Sequence, residues 1–153
     1  MLYDNAKAFG AFARSVNVPV STGEQLYSRW EFESLLEEEA VGIIQPDICH
    51  CGGFSEIRKI AFAAETHFVS VAPHNSNGPL STVASIHFDM SVQNAFMQEI
   101  FVSFFERYNQ ILTKPLVIEN GETKPPEGTG WGTEINEEAL AAFPPGDFKQ
   151  IES

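Results

Sequence analysis

Four short apolar runs, at 18–20, 41–44, 68–72 and 95–97, each lead into a turn bearing a titratable residue, and a helical pattern follows the first three. Those residues are Glu24, Asp47, His74 and Glu99, separated by 23, 27 and 25 positions. A helix precedes the first run, with Ala6, Phe9, Phe12 and Ala13 at helical spacing up to about Asn17. Residues 28–39 read as the next helix, with Ser28 as N-cap and Trp30, Leu35 and Leu36 on its buried stripe. Its Glu31, Glu33, Glu37, Glu38 and Glu39 read as a solvated face. Helices over 55–65, with Ile57, Ile60, Ala61 and Ala64 on one side, and over 80–90 complete the series. Apolar strands alternating with amphipathic helices build a parallel sheet, so the fold class is α/β. The cycle breaks near residue 101, where Phe101, Phe104, Phe105 and Tyr108 precede the Pro- and Gly-rich KPPEGTGWG. The expected division is a strand-and-helix unit over 1–100 and an irregular covering tail over 101–153.

In parallel α/β folds ligands bind at the carboxyl ends of the strands. Glu24, Asp47, His74 and Glu99 therefore converge on one site although far apart in sequence. Each has a plainer reading alone: Glu24 as a helix-start charge, Asp47 as a turn or cap residue, His74 and Glu99 as surface groups. Their regular recurrence favours a shared site. An aspartate on one strand end beside a histidine on the next fixes the imidazole tautomer and raises its basicity, as a general base requires. Gly23, Gly52, Gly53 and Gly78 lie in the same loops, yet none forms a GxGxxG or P-loop pattern. His67 and His87 read as packing or surface residues, whereas His50, three residues past Asp47, has a possible place facing the site.

The 153-residue length fits one domain. Nine basic against 21 acidic residues, a net charge of -12, argue against nucleic-acid or anionic-membrane binding. An anionic substrate stays open, because a bound cation reverses the local field. No apolar run approaches a membrane span, and the first residues lack a secretory h-region. Cys49 and Cys51 are too close for an ordinary disulfide and wrongly spaced for a zinc pair, so reduced thiols and a cytoplasmic setting are expected.

The segments VPVSTGEQLYSRWEF, VGIIQPDICHCGGFSEIRKIA, VAPHNSNGPL and NAFMQE resemble the C-terminal barrel of the enolase superfamily, in its mandelate racemase and muconate-lactonizing branch. Within that branch they look most like the sugar-acid dehydratases of the galactonate dehydratase type. The resemblance implies a (β/α) barrel, of which this chain holds the C-terminal part, about four strands. It implies Mg²⁺ as cofactor with Glu24 as one metal ligand, Asp47 and His74 as the catalytic dyad, and Glu99 as a hydrogen-bonding partner of the substrate carboxylate or enediolate. The implied reaction is abstraction of the proton α to a carboxylate by His74, then loss of hydroxide, giving a 2-keto-3-deoxy sugar acid. As an enediolate donor Glu99 has to be protonated.

The same resemblance marks what is not here. Family members carry an N-terminal capping domain and first barrel strands with two further acidic metal ligands, and a complete barrel takes about 250 residues. The chain thus reads as a fragment that depends on those missing parts, and a half barrel has two open strand edges. With one metal ligand it is expected to be inactive alone, and full-length relatives commonly form homo-oligomers. Another dehydratase or a racemase of the branch, a non-catalytic half-barrel binding module, and an unrelated doubly wound domain are the alternatives. The tail from Leu112 resembles the segment running back toward the cap. There Trp131 is a packing residue or a cap contact, and Glu134, Glu137 and Glu138 form a solvated helix start.

Overall fold

The computed structural model describes residues 5–143; the tail residues 144–153 and the first four residues lie outside the described part. Helix α1 (Ala6–Ser15) starts with the Asn5 carboxamide accepting the Ala8 N–H. Strand β1 (Ser21–Thr22) follows, then α2 (Arg29–Glu37), β2 (Ile43–Ile44), α3 (Phe54–Thr66), β3 (Ser70–Val71) and α4 (Pro79–Asp89). The three strands form one parallel sheet in chain order, with Ser21 beside Ile43 beside Ser70 and Thr22 beside Ile44 beside Val71. Helices pack in the same order, α1 on α2, α2 on α3 and α3 on α4. This is one wall of strands backed by helices, with β1 at an edge that has no further strand among the described residues.

The expected fourth strand, 95–97, is reduced to one parallel bridge between Val71 and Ala95. Val71 N–H donates to Asn94 O and Phe96 N–H to Val71 O, and the ladder then stops. The first strand is also displaced: pairing runs from Val20 O to Thr22, because Pro19 has no N–H to give and Val18 stays exposed.

The core fills the space between sheet and helices with Phe32, Leu35, Leu36, Ile44, Ile57, Ile60, Ala61, Ala64 and Val71. On α3 these are the residues that the periodicity marks. On α2 the stripe is Phe32, Leu35 and Leu36, the leucines three and four residues on from the phenylalanine, and Trp30 is turned outward, 71% exposed under the Arg29 guanidinium. Glu31 is also no mere surface charge. Its carboxylate turns back to accept the Ser28 and Tyr27 N–H groups and the Ser28 hydroxyl, closing a capping box that holds its carboxyl below the ordinary value. A two-pronged ion pair from Arg29 to Glu56 ties α2 to α3, and it lowers the Glu56 carboxyl.

Beyond residue 101 the chain is more regular than its composition implies. Phe101, Phe104, Phe105 and Tyr108 fall at helical spacing, and Val102–Gln110 is helix α5, with the rings of Phe104 and Tyr108 stacked. A two-stranded antiparallel hairpin, β4 (Ile118–Glu119) and β5 (Glu122–Thr123), and the short α6 (Glu137–Ala141) follow. Leu112 and Leu116 join Val83 and Ile86 of α4 in a second small core. Trp131 packs beside Phe54 and His87, and its carbonyl accepts a hydrogen bond from His87.

Candidate active site

Each strand delivers one side chain to the same end of the sheet. After β1, Gly23 takes a φ of 136°, a backbone that places Glu24 outside the edge. A Cβ there would sit 2.7 Å from the Phe32 ring and 3.0 Å from the Gln45 nitrogen, so only glycine fits. After β2, buried Pro46 introduces Asp47, and after β3 the loop delivers His74. The backbones of Asp47 and His74 are bridged in parallel, which fixes their side chains as neighbours.

Asp47 is 0% exposed and all its needs are met from the protein. Its Oδ1 accepts the Cys49 N–H at 2.7 Å; its Oδ2 accepts from His74 Nδ1 and from Asn77 Nδ2, both at 2.8 Å. A buried carboxylate without such donors would be costly; three donors make it stable and rigid. Because Asp47 accepts a hydrogen bond from Nδ1–H and so keeps the proton there, His74 in its neutral form carries its free lone pair on Nε2. That nitrogen lies 3.7 Å from Glu24 Oε2, whose side chain is half exposed. The fourth residue arrives by another route. Glu99 Oε2 accepts the backbone N–H of Asn75, the residue next to His74, at 2.8 Å.

All four residues singled out by strand-end position therefore gather around one pair of strand ends. His50 joins them: its Nδ1 is 3.2 Å from the Glu24 carbonyl and 4.0 Å from Asp47 Oδ2, and its ring lies against Tyr27 and His74. Three contributors are not evident from residue type. Asn77 shares Asp47 Oδ2 with His74, Asn75 holds Glu99, and the Tyr108 hydroxyl donates to the Asn77 carbonyl, with burial raising its pKa. The two asparagines leave one trace in the sequence, the polar density of HNSN after the strand, and Tyr108 stands in the aromatic run that follows residue 100.

The chemistry available is that of an oriented base: a histidine held by a buried aspartate, next to an accessible carboxylate and a second tethered glutamate. Glu24 is an oxygen ligand of the kind Mg²⁺ takes, but one carboxylate is not a site for an ion that prefers six oxygens. Among the described residues no group of three or more His, Cys, Asp or Glu side chains is placed to hold a metal. Nor is any described helix long and apolar enough to cross a membrane.

A parallel strand-and-helix wall with a histidine–aspartate pair and glutamates at its carboxyl ends defines a class of barrel enzyme domain. Residues 1–139 match the enolase C-terminal domain-like family, and the chain belongs to it. It is 34% identical over 145 residues to the D-galactonate dehydratase of Ralstonia nicotianae, and 36% identical over 143 residues to that of Verminephrobacter eiseniae. These matches take in 90% of this chain and 37% of each relative, so the chain spans little more than a third of their length. Among solved structures, a mandelate racemase/muconate lactonizing enzyme-like protein from Roseovarius superposes with a TM-score of 0.84 at 35% identity, over 92% of this chain and 35% of that one. An enolase from Agrobacterium radiobacter, solved with sodium and L-malate bound, gives 0.84 at 33% identity, over 93% of this chain and 40% of that one. The fold is thus the α/β enolase C-terminal type, present as part of a barrel.

Proposed function

We propose that this chain is the base-bearing part of a Mg²⁺-dependent sugar-acid dehydratase, with galactonate as the favoured substrate. The observation that carries the reading is His74, held at Nδ1 by Asp47 and facing Glu24 with Nε2. The identity to galactonate dehydratases supports the substrate class. His74 Nε2 takes the proton α to the substrate carboxylate. Asp47 keeps the ring in the right tautomer and offsets the charge of the imidazolium that results. Glu99 faces the substrate carboxyl end, its Oε2 held by Asn75. The hydroxyl of the neighbouring carbon then leaves as water, with a proton from an acid that would come from outside this chain, and the enol tautomerises to a 2-keto-3-deoxy acid.

Glu24 would provide one oxygen for Mg²⁺, and the remaining ligands would come from outside this chain. The ion, when bound, neutralises charge building on the substrate carboxylate. The 153 residues by themselves are accordingly expected to turn over no sugar acid. The test uses the natural polypeptide that carries this chain. Incubated with Mg²⁺ and galactonate in deuterium oxide, it should release a 2-keto-3-deoxy acid, and His74→Asn should remove both turnover and exchange of the α proton. Undiminished exchange in His74→Asn would sink the assignment of the base.

A further inference from the structure

Glu99 stands where the fold offers it least support. The last ladder hydrogen bond of its segment is Phe96 N–H to Val71 O, three residues earlier. Residue 99 is itself exposed, and its backbone has no strand partner among the described residues. Gln98 Nε2 donates to the Glu99 carbonyl at 2.8 Å, and the contact that reaches the Glu99 carboxyl as well is made by Asn75. The Asn75 backbone N–H donates to Glu99 Oε2 at 2.8 Å, while its side-chain Nδ2 donates to the Glu99 carbonyl at 3.0 Å. The grip closes on both ends of the same glutamate.

Asn75 can grip because it is itself fixed. It is 2% exposed. Its second Nδ2 hydrogen goes to Thr82 Oγ1 at 2.9 Å, and its Oδ1 accepts the Ser81 hydroxyl at 3.0 Å. Ser81 and Thr82 are buried in the first turns of α4, so the amide is clamped to a helix on one side and reaches out on the other. Three of the four hydrogen bonds open to a carboxamide, both donors among them, are thus committed, and such networks specify one geometry.

We infer that Asn75 is a positioning residue, setting the Glu99 carboxyl at a fixed distance from the base His74, to which it is joined by one peptide bond. Ordering Glu99 in advance removes a rotamer cost that would otherwise fall in the reaction itself. This rests on the dehydratase reading for its kinetic consequence, though not for the contact.

The test has two arms, both on the natural polypeptide carrying this chain. In the kinetic arm, Asn75→Asp keeps the acceptor for Ser81 but sets an oxygen against the Glu99 carbonyl. It should lower kcat about ten- to a hundredfold, with KM within about threefold. Glu99→Ala should do the same, and the double variant should be no slower than Glu99→Ala alone. Losses that multiply in the double variant, or a wild-type kcat in Asn75→Asp, overturn the inference. The second arm needs no turnover and no Asn75 variant. The backbone amide proton of residue 75, bonded to the Glu99 carboxyl, should resonate downfield and move upfield in Glu99→Ala; an amide indifferent to that change refutes the contact. A natural polypeptide that shows the amide shift but dehydrates no sugar acid leaves the positioning contact standing and rejects the dehydratase reading.

Discussion

The Nδ1 atom of His74 lies 2.8 Å from Oδ2 of Asp47, between neighbouring strand ends whose backbones are themselves bridged. The pair is therefore set by sheet register: moving β3 one residue against β2 would turn His74 to the opposite face. The geometry of the site and the stability of the fold here share one set of hydrogen bonds. The Asn77 amide, sharing Oδ2, makes Asp47 an acceptor from two directions and stops it from rotating away.

Asp47→Asn follows from this directly. An amide in place of the carboxylate cannot offset an imidazolium, and it can present N–H to His74 and so reverse the tautomer. In the natural polypeptide, kcat should fall about a thousandfold or more while KM changes little. The ¹⁵N shifts of the His74 ring give a check free of kinetics, since the protonated nitrogen should move from Nδ1 to Nε2. An unchanged tautomer would mean that Asp47 does not orient the ring.

Much of this arrangement is legible in the sequence because it depends on order along the chain. Strand-end residues of a parallel sheet must converge, so Glu24, Asp47 and His74 can be picked by position alone, whereas Glu99 has the expected spacing but is brought in through Asn75; α3 shows its buried face in its spacing. Other features depend on contacts between distant segments. Trp30 and Phe32 are both large and apolar, and which one faces inward is decided by how α2 sits on the sheet. The short strand at 95–97 looks continuous in sequence, but its pairing is limited to the single bridge of Ala95 with Val71. Asn75 and Asn77 carry no mark of their own, because an asparagine in a loop is commonplace until its acceptors are known. The regularity of α5 was open to view in its aromatic spacing, masked by the Pro- and Gly-rich stretch that follows.

Asp89, the last residue of α4, gives a pH dependence of stability. It borders a cavity of about 580 Å³ lined by Met90, Phe96 and Met97, and its Oδ1 has no hydrogen-bond partner among the described residues. Burial pushes its carboxyl from the ordinary 3.8 up to about 7. Between those values the folded protein keeps a proton that the unfolded chain has released. The contribution is then complete below the ordinary aspartate range, declines as pH rises, and is lost above about 7. The slope approaches about 1.4 kcal/mol per pH unit at most. Urea unfolding of the wild type and Asp89→Asn across pH 4 to 8 isolates it: the difference in stability should grow with pH and level off near neutrality. A difference that stays flat would show that the carboxyl titrates normally.

The two cysteines should behave as opposites. Cys49 is exposed and Cys51 is buried, both with free thiols. Burial, reinforced by the Asp47 charge, pushes the Cys51 thiol up to about 12, where almost no thiolate exists at neutral pH. A chromogenic disulfide reagent at pH 8 should titrate one thiol in the folded protein and two in denaturant. Cys49→Ser should abolish the native reaction. Two fast-reacting native thiols would mean that the loop after β2 opens readily, and with it the support of Asp47.

Gly23→Ala tests whether the β1 turn aims Glu24. The added methyl meets the Phe32 ring and the Gln45 nitrogen at the distances given above, and φ at 136° is foreign to alanine. Overpacking and backbone strain together should cost about 1–3 kcal/mol, read as a lower urea midpoint with an unchanged slope. Because Phe32 anchors α2 and cannot yield easily, the turn should give way instead and carry Glu24 with it. The Mg²⁺ concentration needed for half-maximal turnover in the natural polypeptide should then rise, while the His74 tautomer, set by Asp47 on the next strand, stays as it is. Loss of stability with an unaltered Mg²⁺ requirement would separate the turn from the metal and place Glu24 outside the ligand set.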